Sequence, residues 1–350
     1  MVTAQAPVDV VALGESMVTF LPARPGRLAD VPSFDRGIGG AESNVVCALA
    51  AAGHTTRWVS RVGADGFGDH LVETIARYGV DTSAVGRDPH RPTGIYFRTA
   101  DDRDTDAHEV VYYRAGSAAS AMAPGSVDED ALASGRILHL SGITPALSAD
   151  CLALVRHLCA RRADRGPLVS FDVNHRPGLW KDDAAADPSV LLDLARGADL
   201  VFVGEDEAAA AWGVTGGSDA IRAALPEPDT LVVKQGSRGA TVHRRGEDPV
   251  FQAALRVDVV APVGAGDAFA AGFLSATLRG LPAAHRLRHG HLMAAAALTV
   301  PGDLAPPPAR AHADRLAALD DAAWETLRLG PGWTEHVPED TEAEEEVRTP

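Results

Sequence analysis

The sequence is short of cysteine and of basic side chains. Its three cysteines form no Cys-x-x-Cys pair and no Cys/His spacing typical of a metal site, and an odd number gives no disulfide framework. Lysine occurs only at Lys181 and Lys234, and the formal net charge is −16. Because nonspecific binding to nucleic acid or to an anionic membrane relies on basic surface, this charge argues against both functions.

Long apolar runs are also missing. No run reaches the roughly 18 residues of a membrane span, and no charged-then-apolar signal peptide opens the sequence. We expect Cys47, Cys151 and Cys159 to be buried thiols in a reducing compartment, so the sequence predicts a cytoplasmic protein. With 46% hydrophobic residues the chain is globular, and its length allows one large α/β domain or two smaller ones.

The most informative stretch, 257–279, combines a predicted strand, a glycine turn and a predicted helix. A β-branched run ends at Pro262, and an Ala/Phe/Leu run follows the turn. Gly264 and Gly266 permit crowded or left-handed backbone, so the amides of 264–267 can converge at the helix N-terminus. The helix dipole favours an anion there, and the turn is predicted to bind phosphate.

Asp267 follows these glycines, and a carboxylate beside phosphate is repulsive unless it has another task. We expect it to accept a proton from a hydroxyl that attacks phosphorus, the alternative being a simple helix cap. A P-loop is excluded because neither lysine follows a glycine. A dinucleotide fingerprint would need a small residue at Phe269, which disfavours an NAD-dependent oxidoreductase.

The stretch resembles the C-terminal signature of the ribokinase-like (PfkB) carbohydrate kinases, Asp-Thr-x-Gly-Ala-Gly-Asp-x-Phe-x-x-Gly. The resemblance implies an anion hole made by Gly264, Ala265 and Gly266 and a catalytic base at Asp267. This chain departs from the signature at Ala261-Pro262, where the family has Asp-Thr.

The resemblance also implies a fold: an α/β, three-layer α/β/α domain with a mostly parallel central sheet plus a small β-sheet lid. The kinase domain would span 1–320, with the lid formed by about 15–37 and 93–115. Residues 321–350 would form a C-terminal extension with an acidic tail, which its composition predicts to be disordered.

Paired glycines precede a predicted helix at 45–52, and they allow close backbone approach to a ligand. The segment Gly-Gly-Ala-Glu-x-Asn resembles the stretch that lines the sugar pocket of the kinases that phosphorylate 2-keto-3-deoxygluconate. That resemblance implies substrate contacts at Gly39, Gly40, Ala41 and Asn44. On spacing alone, Asn44 is equally well explained as a helix cap.

The period-two strands 93–98 and 109–114 predict a hairpin, whose tyrosines would ordinarily be packing residues. Its end resembles the Tyr-Tyr-Arg-x-x-Ser-Ala-x-Ser run of the same kinases. The resemblance implies that Tyr96, Tyr112 and Arg114 contact a sugar acid, and it places another sugar contact at Ile143.

The segment from Asp172 to Trp180 follows a predicted strand, at the end where open α/β sheets bind ligands. A guanidinium grips a carboxylate in a two-bond fork that a neutral sugar does not need, so Arg176 points to an acidic substrate. The alternative is a local ion pair between Arg176 and Asp172. The match to Asp-x-Asn-x-Arg-x-x-Leu-Trp of the ketodeoxygluconate kinases favours the sugar acid.

The nucleotide side is predicted from the resemblance alone. Lys-x-Gly-x-x-Gly would place Lys234, Ser237 and Gly239 against the phosphates or adenosine, together with Gly264 and Gly266. Glu207 would reach magnesium through water, although Gly204 replaces the asparagine of that motif. The predicted helix 287–299 and Gly302-Asp303 would complete the adenine pocket, with His289 and His291 on the helix surface.

The predicted activity is ATP- and Mg²⁺-dependent phosphorylation of 2-keto-3-deoxygluconate to its 6-phosphate, in sugar-acid catabolism of Entner-Doudoroff type. The family also allows a monovalent cation such as K⁺. A neutral-sugar kinase of fructokinase or ribokinase type and a noncatalytic sugar- or nucleotide-binding relative remain alternatives, and the gluconate and galactonate epimers are not separated. Exposed lid edges predict a homo-oligomer, a dimer or higher.

Overall fold

A computed structural model describes residues 6–24, 26–99, 110–160, 166–180 and 187–335. The predicted hairpin tip at 101–108 and the acidic residues after 335 lie outside the described residues. In the described ranges, no helix has both the length and the hydropathy that a membrane span requires. Cys47, Cys151 and Cys159 are free and buried, as predicted.

The strands of the described residues are β1 (Val8–Leu13), β2 (Met17–Pro22), β3 (Phe34–Gly39), β4 (Thr56–Gly63), β5 (Val85–Asp88), β6 (Ile95–Arg98), β7 (Val110–Tyr113), β8 (Gly135–Ser141), β9 (Leu168–Asp172), β10 (Leu200–Gly204), β11 (Thr230–Lys234), β12 (Gly239–Arg244), β13 (Val250–Ala253), β14 (Arg256–Val257) and β15 (Arg328–Leu329). The α-helices of the same ranges are α1 (Ala41–Ala51), α2 (Gly66–Arg77), α3 (Glu129–Ala133), α4 (Ala149–Ala160), α5 (Val190–Arg196), α6 (Glu205–Trp212), α7 (Gly217–Ala224), α8 (Ala265–Leu278), α9 (Ala283–Leu298), α10 (Arg310–Ala317) and α11 (Asp321–Thr326).

The central sheet has nine strands in the described part of the chain, in the order β13-β12-β11-β10-β9-β8-β1-β4-β5. Neighbours from β5 through β11 pair in parallel, whereas β12 and β13 are antiparallel. β9 ends at Asp172, where the sequence predicts the end of a strand, and β1 and β9 are largely hydrophobic because both faces of each strand are buried.

Helices cover both faces of this sheet. Successive residues of β1 point to opposite faces, so Val10 and Ala12 pack with α1, α8 and α9, whereas Val11 and Leu13 pack with α4 and α5. Both clusters are almost fully buried. The three layers and the mostly parallel sheet confirm the predicted fold class.

A second, four-stranded sheet lies apart from the central one, in the order β3-β2-β6-β7. β2 pairs with β3 antiparallel and with β6 in parallel, and β6 pairs with β7 antiparallel. One of its faces carries Phe20, Phe97 and Tyr113, while Tyr96 and Tyr112 lie together on the other with their rings 5.4 Å apart. This is the small lid sheet that the resemblance implies.

The prediction of a strand that ends at Pro262 is wrong. Only Arg256–Val257 is extended, as the short strand β14 beside β15, and residues 258–263 are irregular. β-branched residues favour strands only where a sheet edge accepts them, and here the backbone bonds instead to Leu298 and Leu329. Val259 and Val260 are left 43% and 39% exposed.

The predicted surface positions of His289 and His291 are also wrong, since both side chains are buried. Residues 321–335, which the sequence assigns to an extension, pack over α9. Trp324 is fully buried, lies near the ring of His291 and donates a hydrogen bond from Nε1 to the carbonyl of Ala253 at 2.9 Å. The part of the extension that the structure describes therefore contributes to the core.

This packing predicts a large stability cost for Trp324→Ala. The substitution removes a fully buried indole and a buried hydrogen bond, so we expect the free energy of unfolding to fall by about 3–5 kcal/mol in urea denaturation. Phe251→Ala, at a side chain 55% exposed, is the control and should change it by less than about 1 kcal/mol. Equal effects of the two substitutions would contradict a structural role for residues beyond 320.

Candidate active site

The glycine turn predicted to bind phosphate lies at the N-terminus of α8. Gly264 precedes the helix with φ 73°, a left-handed conformation that favours glycine. A Cβ at this position would also lie 2.4 Å from the carbonyl oxygen of Asp303. Gly266 is exposed, and its Cβ would lie 3.8 Å from Nζ of Lys234, so an ammonium group stands next to the turn. The helix N-terminus thus offers amides and a nearby cation to an anion.

Asp267 lies in the first turn of α8 and is partly buried. Burial raises the pKa of Asp267 to about 7, and the neighbouring carboxylates of Asp172 and Asp303 act in the same direction. Opposing this shift, Asn44 donates a hydrogen bond from Nδ2 to Oδ2 of Asp267 at 2.8 Å, and Arg176 stabilises the charged form. A carboxylate with this pKa is suited to accept a proton near neutral pH.

The side chain of Asn44 is not a helix cap, and its Oδ1 has no hydrogen-bond partner among the described residues. α1 begins after Gly40 without a side-chain cap, and the amide of Asn44 is directed to Asp267 instead. Gly39 leaves room for two other groups, because its Cβ would lie 2.4 Å from the hydroxyl of Tyr96 and 2.5 Å from Oδ2 of Asp303. Gly39 therefore lies where lid residue Tyr96 meets Asp303.

Lys234 is a cation that lies between the carboxylates of Asp172 and Glu207 at the end of the central sheet. Nζ of Lys234, at the end of β11, lies 3.0 and 3.1 Å from the two carboxylate oxygens of Asp172 and 3.8 Å from Oε2 of Glu207. Burial lowers the pKa of Lys234, but these carboxylates more than offset it, and the net shift is upward. Lys234 is therefore charged and lies where the resemblance places the phosphates.

The alternative role for Arg176, an ion pair with Asp172, does not occur among the described residues. Asp172 is bonded to Lys234 and to the amide of Asn174, while Arg176 is exposed and close enough to lower the pKa of Asp267. Asn174 has φ 37°, the only positive φ outside glycine in the described ranges. Backbone strain of this kind is concentrated at functional sites, where surrounding contacts hold it in place.

Arg114 follows β7 and is held by a residue that the sequence analysis did not single out. Its Nε donates to Oε2 of Glu15 at 2.7 Å, Nη2 contacts the same oxygen, and Ser117 donates to Oε1 at 2.5 Å. The Glu15 side chain is 1% exposed, and the Arg114 side chain is 10% exposed. The guanidinium also lies 5.8 Å from the ring centre of Tyr112, which is 52% exposed.

The remaining predicted residues differ in their exposure and in their contacts. Ile143 is buried and Ala41 begins α1. Ser237 is exposed after β11, whereas Gly239 is closed off, since its Cβ would lie 2.2 Å from the carbonyl of Gln252. Glu207 accepts a hydrogen bond from the amide of Gly204 at 2.6 Å, so part of its role is to fix the start of α6.

Asp303, predicted to help complete the adenine pocket, makes contacts that the sequence does not indicate. Its carboxylate accepts a hydrogen bond from Tyr96 at 2.9 Å and pairs with Arg98 at 3.1 Å, both on lid strand β6. These partners are about 200 residues away in the chain, so no local signal could have found the contacts. Glu15 could have been found, because it directly follows β1 at the ligand-binding edge of the sheet.

Taken together, an anion-binding helix N-terminus, a carboxylate base beside it and a lid over both define a sugar phosphotransferase. The profile of the pfkB family carbohydrate kinases matches residues 8–310, and the chain belongs to that family. This confirms the resemblance found from the motifs.

Similar proteins carry more specific names. The chain is 36% identical over 299 residues to a 2-dehydro-3-deoxygluconokinase of Bacillus subtilis, covering 85% of this chain and 91% of that protein. It is 36% identical over 314 residues to a 2-dehydro-3-deoxygluconokinase of Thermoproteus tenax, covering 89% and 95%. The crystal structure of 2-dehydro-3-deoxygluconokinase from Thermotoga maritima matches with a TM-score of 0.79 at 26% identity, covering 91% of this chain and 100% of that one.

The environment of Asp267 predicts a pH dependence. Because the base must be ionised and its pKa is raised to about 7, kcat/KM should fall as the pH drops below about 7 and level off above it. Asn44→Ala removes a hydrogen bond to the charged form, so this midpoint should move upward by about one unit in a pH–rate profile. Ser43→Ala, a buried neighbour that does not contact Asp267, should leave it in place. A midpoint unchanged in Asn44→Ala would contradict the assignment.

Proposed function

We propose that this kinase transfers the γ-phosphoryl group of ATP to the primary hydroxyl of 2-keto-3-deoxygluconate, giving the 6-phosphate. The observation that carries the proposal is the position of Arg176. It lies close enough to act electrostatically on Asp267, yet it is exposed and bonded to neither Asp172 nor Asp267. A guanidinium in that position can grip the carboxylate of a substrate whose hydroxyl reaches the base. The names of the similar proteins support the same substrate.

In the proposed reaction, Asp267 removes the proton from the attacking hydroxyl while Asn44 keeps the carboxylate oriented. The amides of 264–267 stabilise charge that develops on the transferred phosphoryl group, and Lys234 adds a positive charge beside them. Most of the rate enhancement would come from this positioning and electrostatic stabilisation, because phosphoryl transfer requires little covalent chemistry from the protein.

Magnesium fits the residues at the end of the sheet as an ion carried largely by the nucleotide. Mg²⁺ is usually held by one or two carboxylates plus phosphates and water. Asp172 and Glu207 supply carboxylates beside Lys234, and the described residues contain no cluster of three or more ligand side chains that could hold a metal unaided. Glu207 would hold Mg²⁺ through water, and the ion would neutralise phosphate charge. K⁺ stays a prediction.

Substrate class depends on how the two arginines are used. The Nε and Nη2 edge of Arg114 already faces Glu15, so a substrate carboxylate could take little more than a single bond from it. Arg176 can offer its whole fork. A neutral-sugar kinase would not need Arg176, and this difference makes the acidic and neutral alternatives testable on one side chain.

The base assignment predicts that Asp267→Asn loses roughly three orders of magnitude in kcat. The affinity for ATP, measured by calorimetry, should change little, since the base acts chiefly in the transition state. Asp69→Asn, at an exposed carboxylate of α2, is the matched control and should keep full activity. A nearly active Asp267→Asn enzyme would refute the proposed chemistry.

The substrate assignment is tested by ADP release with 2-keto-3-deoxygluconate, 2-keto-3-deoxygalactonate, fructose and ribose. We expect the keto-deoxy acids to react best, and Arg176→Ala to raise their KM roughly 10- to 100-fold, the range expected for a charged hydrogen bond. The KM for ATP should stay within about two-fold, as should every constant of Arg77→Ala, whose side chain is 70% exposed on α2. Better turnover of fructose or ribose would favour a neutral-sugar kinase, and ligand binding without ADP release would favour a noncatalytic relative.

A further inference from the structure

The mechanism proposed above leaves one buried carboxylate of the site unused. Asp303 follows α9, and its side chain is 6% exposed. It lies near enough to Asp267 to raise the pKa of that base. A second carboxylate beside a catalytic one is unfavourable unless something compensates its charge. A residue that compensates the charge of Asp303 would therefore also affect the reaction at Asp267.

That compensation comes from the lid. Nη2 of Arg98 lies 3.1 Å from Oδ1 of Asp303, and the Arg98 side chain is only 7% exposed. Tyr96, two residues earlier on β6, donates its hydroxyl to Oδ2 at 2.9 Å. Tyr96 and Arg98 lie on the same face of β6, and together they contact both carboxylate oxygens of Asp303. In the described part of the chain, Arg98 has no other ion-pair partner.

The backbone of Asp303 completes the link to the phosphate-binding turn. A Cβ on Gly264 would lie only 2.4 Å from the carbonyl oxygen of Asp303. Because the two backbones are this close, a shift of Asp303 would displace the start of α8. Asp303 also lines a cavity of about 10 Å³ together with Asn44, the residue that donates a hydrogen bond to Asp267. Asp303 therefore touches the lid on one side and the catalytic turn on the other.

We propose that Arg98 is a positioning residue that acts through Asp303, fixing this carboxylate so that the sugar-facing lid strand and the catalytic turn keep one relative position. The inference rests on the proposed function for its substrate and extends that function to a residue outside the motifs. Arg98 itself need not touch substrate. Its charge, held in place by β6, opposes the rise that burial causes in the pKa of Asp303 and directs the carboxylate toward the lid.

The test is a double-mutant cycle with Arg98→Met, Asp303→Asn and the pair, measured by steady-state kinetics with the sugar varied at saturating ATP. We expect Arg98→Met to lower kcat/KM for the sugar roughly 10- to 100-fold while the KM for ATP stays within about two-fold. In the Asp303→Asn background the same change should cost less than about three-fold, because no charge is left to compensate. Equal losses in both backgrounds would overturn the proposal.

Two further variants separate positioning from general stability. Arg98→Lys keeps the charge and should recover most of the lost kcat/KM, and recovery no better than with methionine would contradict the proposal. Arg57→Met removes another buried arginine that pairs with an aspartate, Asp81, away from the site. It should lower Tm at least as much as Arg98→Met and leave kcat/KM for the sugar within about two-fold. A comparable loss of kcat/KM in Arg57→Met would show that destabilisation alone explains the effect.

The cycle remains decisive if the proposed substrate is wrong. It can be run with whichever sugar the substrate panel identifies, so rejection of 2-keto-3-deoxygluconate leaves the inference testable. If no sugar is phosphorylated, the proposed function fails on its own, and the same four proteins are compared by Tm. Non-additive changes in Tm would support action through Asp303, and additive changes would overturn it.

Discussion

Charge balance at the carboxyl edge of the central sheet is the constraint on which the site depends. Carboxylates gather there from β9, α6, α8 and the segment after α9, namely Asp172, Glu207, Asp267 and Asp303. In a partly desolvated space, like charges raise one another's pKa and favour protonation. The fold meets this difficulty by giving most of them a cation, so that the remaining imbalance falls on the base.

The compensation is distributed unequally. Lys234 faces two carboxylates and Arg98 faces a third, whereas Asp267 receives an amide donor from Asn44 and the more distant influence of Arg176 and Lys234. A full ion pair would lower the pKa of Asp267 and weaken it as a base. The absence of a close cation from Asp267, within the described residues, is consistent with the pKa of about 7 that proton transfer at neutral pH requires.

Sequence reasoning located the parts of the site that are continuous in the chain. The strand before Asp172 and the glycine turn before Asp267 are local signals, and each lies where it was predicted. The failures are non-local. Residues 258–263 have strand composition but form no strand, and the two histidines of α9 are buried against later segments, with Trp324 beside His291 and Asp314 beside His289. The pairing of Arg98 with Asp303 joins segments that only the tertiary fold brings together, so no spacing rule indicates it.

In the part of the chain that the structure describes, two buried ion pairs attach the lid to the core. Arg98 joins β6 to Asp303, and Arg114 joins the end of β7 to Glu15. In each pair the arginine faces a carboxylate of the protein itself, so the position of the lid does not require a bound anion. A substrate carboxylate would have to compete with Glu15 for Arg114, and taking one partner from a buried pair is costly. Arg176 stands outside both pairs and is exposed, so under the proposed function recognition of an acidic substrate would depend chiefly on it, while the paired arginines would maintain the geometry in which the hydroxyl meets Asp267.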